Sequence, residues 1–382
     1  MSRAPTSPPP SPMRRRLLGG GLALGATGLA GCINHSQWAP VCGPNPSLSF
    51  SYLGECMLAH DLDVDGTRVG GISGLDYDGL NNRWLLISDD KRADPPARMY
   101  EARMSFSGGK FGVSIERPIF LQTPDGHRMP RDQSDTESIR LGPDDTVLIS
   151  SEGRRKLGVP PWIRVYDRAG RYQREFSLPA NWTFGEHRGP RSNQVIEGMG
   201  LTPDGKTLFA ITEGPLYEDG PIPGIDREAW VRITRFDVAS GRPLAQYAYA
   251  LTPLPNSSWF GVTGRLATNG VSELIAVSER RLLILERAYA VGAGFIARLF
   301  EAQIDAASDV SGIASLQQGQ FVAARKSHLI DLGDERIPHD NYEGMALGPV
   351  LTTGEHLFVV CADNNFSIRH GTRFLAFAAR RL

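Results

Sequence analysis

Short apolar runs separated by polar turns fill the chain from residue 48 onward. The runs are rich in β-branched and aromatic residues, and Gly, Pro and Asp cluster between them, which is typical of strands and turns. Outside the N-terminal region, no apolar segment with the 3.6-residue period of a helix reaches helical length. The pattern therefore predicts an all-β fold.

One unit recurs along the chain. It consists of a Glu or Ser, a small residue, an apolar strand, a turn, a second apolar strand and a polar residue that is usually acidic. Four copies are clear and two are weaker; in chain order they are residues 73–90, 137–153, 197–214, 272–287, 311–326 and 343–364. The motifs PDD, PDG and QGQ mark hairpin turns within three of them. Six copies predict a six-bladed β-propeller, whereas a two-sheet sandwich would not explain the repeat.

The two ends of the repeat region predict how the ring closes. The strand-like segment 48–58 precedes the first copy, and 372–379 follows the last. We expect one of these segments to complete the blade that contains the other.

The symmetry of a propeller brings equivalent residues together at the mouth of its channel. The repeat places Glu137, Glu197 and Glu343 in one equivalent set; the second set is Asp89, Glu152, Glu213, Glu286 and Asp363. Carboxylates gathered around a pore repel one another unless a cation or basic side chains neutralise them. The alternative is that each Glu accepts hydrogen bonds from backbone N–H groups of the next blade.

In order along the chain, these stretches resemble the phytase-like proteins, described by the phrase "esterase-like activity of phytase". The matching pieces span residues 70–377 and are GGISGLDYD, LLISDD, DTESIRL, SSEG, IEGMGLTPDGKTLFAITEGPL, LLILER, NYEGMALGP and CADNNF. The second blade departs from the family pattern, since Thr136 and Ser138 flank Glu137 where an acidic residue and a glycine are usual. The resemblance implies a six-bladed propeller related to calcium-dependent phytases.

A phytase-like hydrolase needs cations to shield the phosphoester and a base to activate water. The catalytic candidates are Glu343, Glu197 and Glu137. The oxygen donors that suit Ca²⁺ are Asp89, Asp90, Glu152, Glu213, Asp363 and Asn364. The cations that could grip phosphate oxygens are Lys91, Arg154, Arg287, Arg325 and Lys326. For each cation the alternative is a salt bridge with a neighbouring acid, notably Glu286 with Arg287.

Other chemistries have less support. No GxSxG motif is present, and no HxxxH indicates a zinc site. A calcium-dependent lactonase-like propeller needs the same donors, and a non-catalytic periplasmic binding or scaffold protein is the alternative from another class. The segment DLDVDGTRVGGI, residues 61–72, has Ile72 where a calcium loop requires Glu, so a hairpin turn at Asp65-Gly66 explains it more simply.

The N-terminal region predicts export. Residues 1–12 have low complexity; Arg14–Arg16 then precede an apolar, Gly-rich run that ends at Cys32 within a lipobox-like LAGC. We expect a signal peptide over 1–32, with Cys32 lipidated, a linker over 33–47 and the propeller over 48–382. The arginine run resembles a twin-arginine signal. The protein would then be a monomeric periplasmic or outer-membrane lipoprotein that meets the membrane through its lipid alone.

Charge and cysteine content refine this picture. The chain has 41 Lys and Arg against 42 Asp and Glu, without the basic stripe that nucleic-acid binding needs. A small-molecule phosphoester or ester is therefore the expected partner. Cys42 and Cys56 could pair in an oxidising compartment, whereas Cys361 lies in an apolar run and is expected to be buried.

Overall fold

The computed structural model describes residues 48–90, 97–254, 267–291, 294–333, 336–368 and 370–381. These residues form an all-β structure with two single-turn 3₁₀ helices, Arg155–Leu157 and Ala180–Trp182. The strands are β1 Ser49–Leu58, β2 Asp63–Val64, β3 Thr67–Arg68, β4 Ile72–Asp78, β5 Arg83–Ser88, β6 Arg98–Ser107, β7 Lys110–Phe120, β8 Thr136–Leu141, β9 Thr146–Ser151, β10 Trp162–Asp167, β11 Tyr172–Glu175, β12 Ile196–Leu201, β13 Thr207–Thr212, β14 Ala229–Asp237, β15 Arg242–Leu251, β16 Ala267–Ala276, β17 Arg281–Ala290, β18 Gly294–Gln303, β19 Arg325–Leu332, β20 Tyr342–Val350, β21 His356–Ala362 and β22 Thr372–Arg380.

The strands form five four-stranded antiparallel sheets, which are the blades of a β-propeller. Blades 1 to 4 are β4–β7, β8–β11, β12–β15 and β16–β19, and blade 5 is β20–β22 together with β1. The first strands of successive blades contact one another around a ring, from β4 to β8, β12, β16, β20 and back to β4. These five strands therefore line the channel, and the fourth strand of each blade is its outer edge.

The predicted propeller is confirmed, but the predicted number of six blades is wrong. The weak copy at 311–326 is not a blade: residues 304–324 form turns and irregular backbone between β18 and β19. This insert docks on blade 3, where Val310 N donates to Gln246 O and Ala324 N to Ala248 O. It buries Val310 and Leu316 there. The sequence of this insert resembles that of a strand pair because its apolar residues are buried against another blade.

The ring closes through the N-terminal strand. β1 pairs antiparallel with β22, from Ser49 opposite Arg380 to Leu58 opposite Thr372. Segment 48–58 thus supplies the outer strand of the blade that 372–379 helps to build, as the pattern predicted. Because the first and last strands of the chain pair within one blade, no blade is left incomplete where the ring closes.

In blades 1, 3 and 5 the residue after the repeat's Glu or Ser is a glycine, and it has a packing reason. A Cβ added at Gly198 would lie 2.5 Å from Leu274 N, and one at Gly344 would lie 2.8 Å from Ser73 O. Glycine here lets the first strands of neighbouring blades approach backbone to backbone. The close approach makes the channel narrow, as five blades require.

Two smaller features follow the sequence. β2 and β3 form a two-residue hairpin across Asp65 and Gly66, both with positive φ, which agrees with the simpler interpretation of segment 61–72. Cys361 is completely buried in β21, whereas Cys42 lies outside the described residues. The part of the chain that the structure describes contains no helix with the length and apolar character that a membrane crossing requires.

Candidate functional site

A β-bulge positions the first residue of every true repeat. In each blade the pairing between the first two strands slips by one residue, and the extra residues are Ser73, Glu137, Glu197, Ser272 and Glu343. In blade 2 the bulge also includes Ser138. A bulged residue leaves the ladder and re-aims its side chain. The repeat therefore encodes a bulge near the start of each channel-lining strand.

The second set of acids lies at the same end of the channel. Asp89, Glu152, Glu213 and Asp363 directly follow the second strands of blades 1, 2, 3 and 5. Their backbone N–H groups donate to the residues two before the bulge position: to Gly71 O at 2.7 Å, Asp135 O at 2.9 Å, Val195 O at 2.8 Å and Asn341 O at 2.9 Å. Because the two strands of each pair are antiparallel, the start of the first lies beside the end of the second. Both sets of acids are therefore at one opening of the channel. We call it the acidic mouth, formed by Asp89, Asp135, Glu137, Glu152, Glu197, Glu213, Glu343 and Asp363.

Two groups of three carboxylates at the acidic mouth could hold a metal ion. Ligand atoms of Asp135, Glu137 and Glu152 lie within 4.8 Å of one another, and so do those of Glu152, Glu197 and Glu213. Glu152 belongs to both groups. Its Oε1 also accepts from Val195 N in the segment entering blade 3. One oxygen of Glu152 therefore acts as an inter-blade contact, which was the alternative considered for these acids.

Arg287 brings positive charge to the acidic mouth. It extends from β17, and its guanidinium lies 3.4 Å from Glu213 Oε1 and 3.4 Å from Glu343 Oε1. Its Nη1 also donates to Asn341 Oδ1 at 2.7 Å. Burial disfavours the charged guanidinium, but the Glu343 and Glu213 carboxylates raise the pKa of Arg287 above its usual value. Arg287 comes from blade 4, whose own bulge carries Ser272 instead of Glu.

Burial and neighbouring carboxylates impose an electrostatic cost on the glutamates of the acidic mouth. Burial, followed by the charge of Glu197, raises the pKa of Glu137 well above its usual value. Burial and Glu152 do the same to the pKa of Glu197. Burial raises the pKa of Glu213 to about 7, although Arg287 opposes the shift. Without a bound cation, these groups hold protons that free glutamates would lose.

The donor set fits a hard cation such as Ca²⁺ or Mg²⁺, which takes carboxylate and amide oxygens. Gly270 makes room for one of the donors, since a Cβ there would lie 2.4 Å from Glu213 Cγ. Asn341 adds an amide, and its Nδ2 donates to Glu343 Oε1 at 2.9 Å. Sequence reasoning missed Asp135 and Asn341. Their shared signal is a position two residues before a bulged Glu, in DTE and NYE.

A second group of buried charges crosses the channel axis. Glu273 of blade 4 accepts from Ser138 Oγ of blade 2 at 3.1 Å and from Met199 N of blade 3 at 3.1 Å. Arg140 Nη2 lies 2.9 Å from Glu273 Oε1. Arg140 also donates to Leu75 O and Leu274 O, both at 2.9 Å. These contacts between opposite blades fill the channel, and we call Ser138, Arg140 and Glu273 the axial plug. The repeat did not indicate it.

Three predicted site residues are held in other contacts. Asp90 lies 3.1 Å from Arg98 Nη2. Asn364 Oδ1 accepts from Gly71 N and Phe366 N, both at 3.1 Å, and so stabilises a turn. Arg154 pairs with Asp132 at 2.7 Å. These residues border the region of the mouth, but their polar groups are directed to structural partners.

The remaining predicted cations do not join the acidic mouth. Lys326 is buried between blades 3 and 4, where it contacts Glu286 and donates to Ala250 O at 2.9 Å. Glu286 thus pairs with Lys326 instead of Arg287, and it accepts from the Tyr249 hydroxyl at 2.8 Å. Arg325, also on β19, is exposed. It donates to Gln303 Oε1 at 3.3 Å. Lys91 lies outside the described residues.

Comparisons with known proteins identify the family but add little from solved structures. No curated protein sequence matches the chain. Similar solved structures include a glycoside hydrolase of the GH130 family (TM-score 0.44, 10% identity, covering 80% of this chain and 84% of that one). Another is titled glucose dehydrogenase (TM-score 0.38, 11% identity, 86% and 98% covered). TM-scores this low support no argument about function.

The family comparison covers most of the propeller. The family model described as phytase-like, esterase-like activity of phytase, matches residues 67–366. This range begins at β3, before the bulge of blade 1, and ends just beyond Asp363 of blade 5. It includes every carboxylate of the acidic mouth. The chain belongs to the phytase-like family.

Proposed function

We propose that this protein is a metal-assisted hydrolase of phosphoesters or other esters, with the acidic mouth as its active site. The observation that carries the proposal is the crowding of carboxylates at one end of the channel. Two groups of three carboxylates there have ligand atoms within 4.8 Å of one another, and Arg287 lies 3.4 Å from Glu213 and from Glu343. A buried group of like charges is costly unless a cation shares it.

We propose Ca²⁺ as the cation, held by Glu152 together with Asp135, Glu137, Glu197 and Glu213. The bound cation would shield the negative charge of a phosphoester and polarise its phosphoryl oxygen. Glu152 is the residue common to both carboxylate groups. It would therefore join two neighbouring cation positions.

Glu137 and Glu197 are the best candidates for a general base. Each is mostly buried yet retains 7% exposure, and neither makes an ion pair with Arg287 like those of Glu213 and Glu343. Burial and neighbouring carboxylates raise both pKa values, and a carboxylate with a raised pKa is a stronger base. The base would accept a proton from water as the water oxygen bonds to phosphorus, the ester P–O bond would break, and the leaving oxygen would take a proton from solvent water while the base returns its own proton to solvent. Arg287 supplies a fixed positive charge beside the phosphate.

We further propose that the protein acts outside the cytoplasm as a lipid-anchored monomer. The support is the arginine-led apolar segment that ends at Cys32. Residues 1–47, on which this proposal rests, lie outside the described residues.

Phosphate release from phytate, measured with added calcium and again with a chelator, tests the hydrolase. We expect calcium-dependent release that falls at least about 100-fold in Glu197→Gln, since a catalytic base typically contributes that much. The matched control is Glu186→Gln, whose side chain is 93% exposed, and which should keep full activity. Hydrolysis of p-nitrophenyl acetate in parallel separates a phosphoester from a carboxylic ester substrate.

Two outcomes would contradict the proposal. Phosphate release that continues in the presence of the chelator would show that the reaction does not require a metal ion. A folded protein that binds calcium but hydrolyses neither compound would favour the binding or scaffold role that propellers also serve.

A further inference from the structure

A cavity on the outer side of blade 3 is unrelated to the acidic mouth. Its volume is about 580 Å³, which is within the range of small-molecule sites. Four segments line it: residues 179–189 around the 3₁₀ helix Ala180–Trp182, Glu218 between β13 and β14, the outer strand β15, and residues 311–314 of the insert from blade 4. The cavity exists because this insert crosses to the neighbouring blade.

A buried ion pair fixes the wall that the insert contributes. Arg232 and Asp219 both have completely buried side chains and lie 2.6 Å apart. Arg232 also donates to Val310 O at 3.0 Å, Ile313 O at 2.9 Å and Gln246 Oε1 at 3.2 Å. Its Nη2 bonds to Asp219 Oδ1 at 2.8 Å, so all five guanidinium N–H groups are used. The wall is therefore preorganised before any ligand arrives.

Two opposite charges line the cavity without contacting each other. Arg188 is an exposed residue that lines the cavity, and among the described residues its side chain has no ion-pair or hydrogen-bond partner. Glu218 uses Oε2 to accept from Gly189 N at 2.8 Å, and it has no salt bridge to a described cation. An oppositely charged pair left apart in one cavity suits a ligand that carries both charges.

The rest of the lining combines one incompletely used amide with apolar surface. Asn181 exchanges two hydrogen bonds with Gln246, at 2.8 Å and 3.2 Å. This leaves one N–H and one lone pair of the Asn181 amide for a ligand. Pro243, Ile313 and Leu244 supply apolar contacts, and Leu244 is 52% exposed although it is a large aliphatic residue.

We propose that this cavity binds a small zwitterion with an apolar side chain, either an α-amino acid or a short peptide. Arg188 would hold the carboxylate and Glu218 the ammonium group. Leu244 and Ile313 would cover the side chain, and Asn181 would bind a backbone polar group. The proposal is independent of hydrolysis at the acidic mouth, because none of these residues belongs to it.

Calorimetric titration of the full chain with leucine, and separately with leucyl-leucine, tests the proposal. We expect saturable binding of at least one of them. Whichever binds more tightly shows whether the cavity prefers a free amino acid or a short peptide. Isocaproate, which lacks the ammonium group, should bind at least about tenfold more weakly, since one charge-assisted contact is lost. Arg188→Gln and Glu218→Gln should each weaken binding to a similar extent.

Two further variants make the test specific. A Cβ at Gly312 meets nothing within 4 Å, so Gly312→Phe should fill the cavity without strain and abolish binding. Arg242→Gln, which changes an exposed arginine on the same outer strand, should leave binding unchanged. Binding of neither compound at millimolar concentration would overturn the proposal, as would equal binding by Gly312→Phe. All variants should release phosphate from phytate as the parent protein does, which separates this site from the proposed active site.

Discussion

The acidic mouth and the axial plug are two groups of buried carboxylates on one channel axis, yet they are partnered differently. In the axial plug, Glu273 receives Arg140, the Ser138 hydroxyl and the Met199 N–H. At the acidic mouth, Arg287 lies 3.4 Å from Glu213 and from Glu343, and carboxylates also lie against one another. Burial is similar, at 0% exposure for Glu273 and 7% for Glu137 and Glu197. The proximity of like charges, and not the depth of burial, separates the two groups.

The difference indicates a structural role for one group and a binding role for the other. Even with its partners, Glu273 has a pKa raised to about 7 by burial. For Glu137 and Glu197, burial and the neighbouring carboxylates both raise the pKa. A satisfied polar network fixes a core arrangement, whereas the repulsion within a group of buried like charges is relieved by protonation or by a bound cation.

The largest expected effect is on cation binding. Glu152→Gln removes the charge that both carboxylate groups share, while the amide oxygen can still accept from Val195 N. We expect calcium affinity, measured by calorimetry, to fall at least about 100-fold, because both cation positions lose a ligand. Asp90→Asn is the matched control, since Asp90 pairs with Arg98. Unchanged affinity in Glu152→Gln would place the cation elsewhere.

The second effect is on stability. Arg140→Ala leaves Glu273 buried without its cation, and we expect the free energy of unfolding in urea to fall by about 3–5 kcal/mol. Arg171→Ala removes an exposed pair with Asp167 and should cost less than about 1 kcal/mol. The double variant Arg140→Leu with Glu273→Leu should recover most of the loss. If Arg140→Ala and Arg171→Ala proved equally stable, the axial plug would have no structural role.

The smallest effect is on the pH dependence of stability. Glu213 has an ordinary pKa of 4.5 when unfolded and about 7 when folded. Between these values the folded state holds more protons, so stability without calcium should fall as the pH rises from about 4.5 to about 7. The proposed calcium ion would bind the deprotonated form, so the stabilisation by added calcium should grow over the same interval. Glu213→Gln should flatten the profile in thermal unfolding; an unaltered slope would exclude Glu213 as a contributor.

Much of the fold and of the acidic mouth could be predicted from local patterns. Strands, turns and the repeated Glu are encoded within each hairpin, and propeller symmetry then brings Glu137, Glu197 and Glu343 to one opening. The number of blades could not be obtained this way. Segment 311–326 has the composition of a hairpin, but it covers the edge of β15, and nothing local distinguishes a strand that joins a sheet from a segment that packs on one.

Cation placement likewise depended on tertiary structure. Arg287 and Lys326 each lie at the end of a repeat unit in the sequence. They belong to different strands, however, so Arg287 contacts Glu213 at the acidic mouth, whereas Lys326 contacts Glu286 between two blades. Local sequence therefore determined which residues form strands and where carboxylates recur, because these depend on neighbours along the chain. Tertiary structure alone decided the five blades, the axial plug and the partner of each charge, because those depend on distances between residues far apart in sequence, such as Arg140 and Glu273.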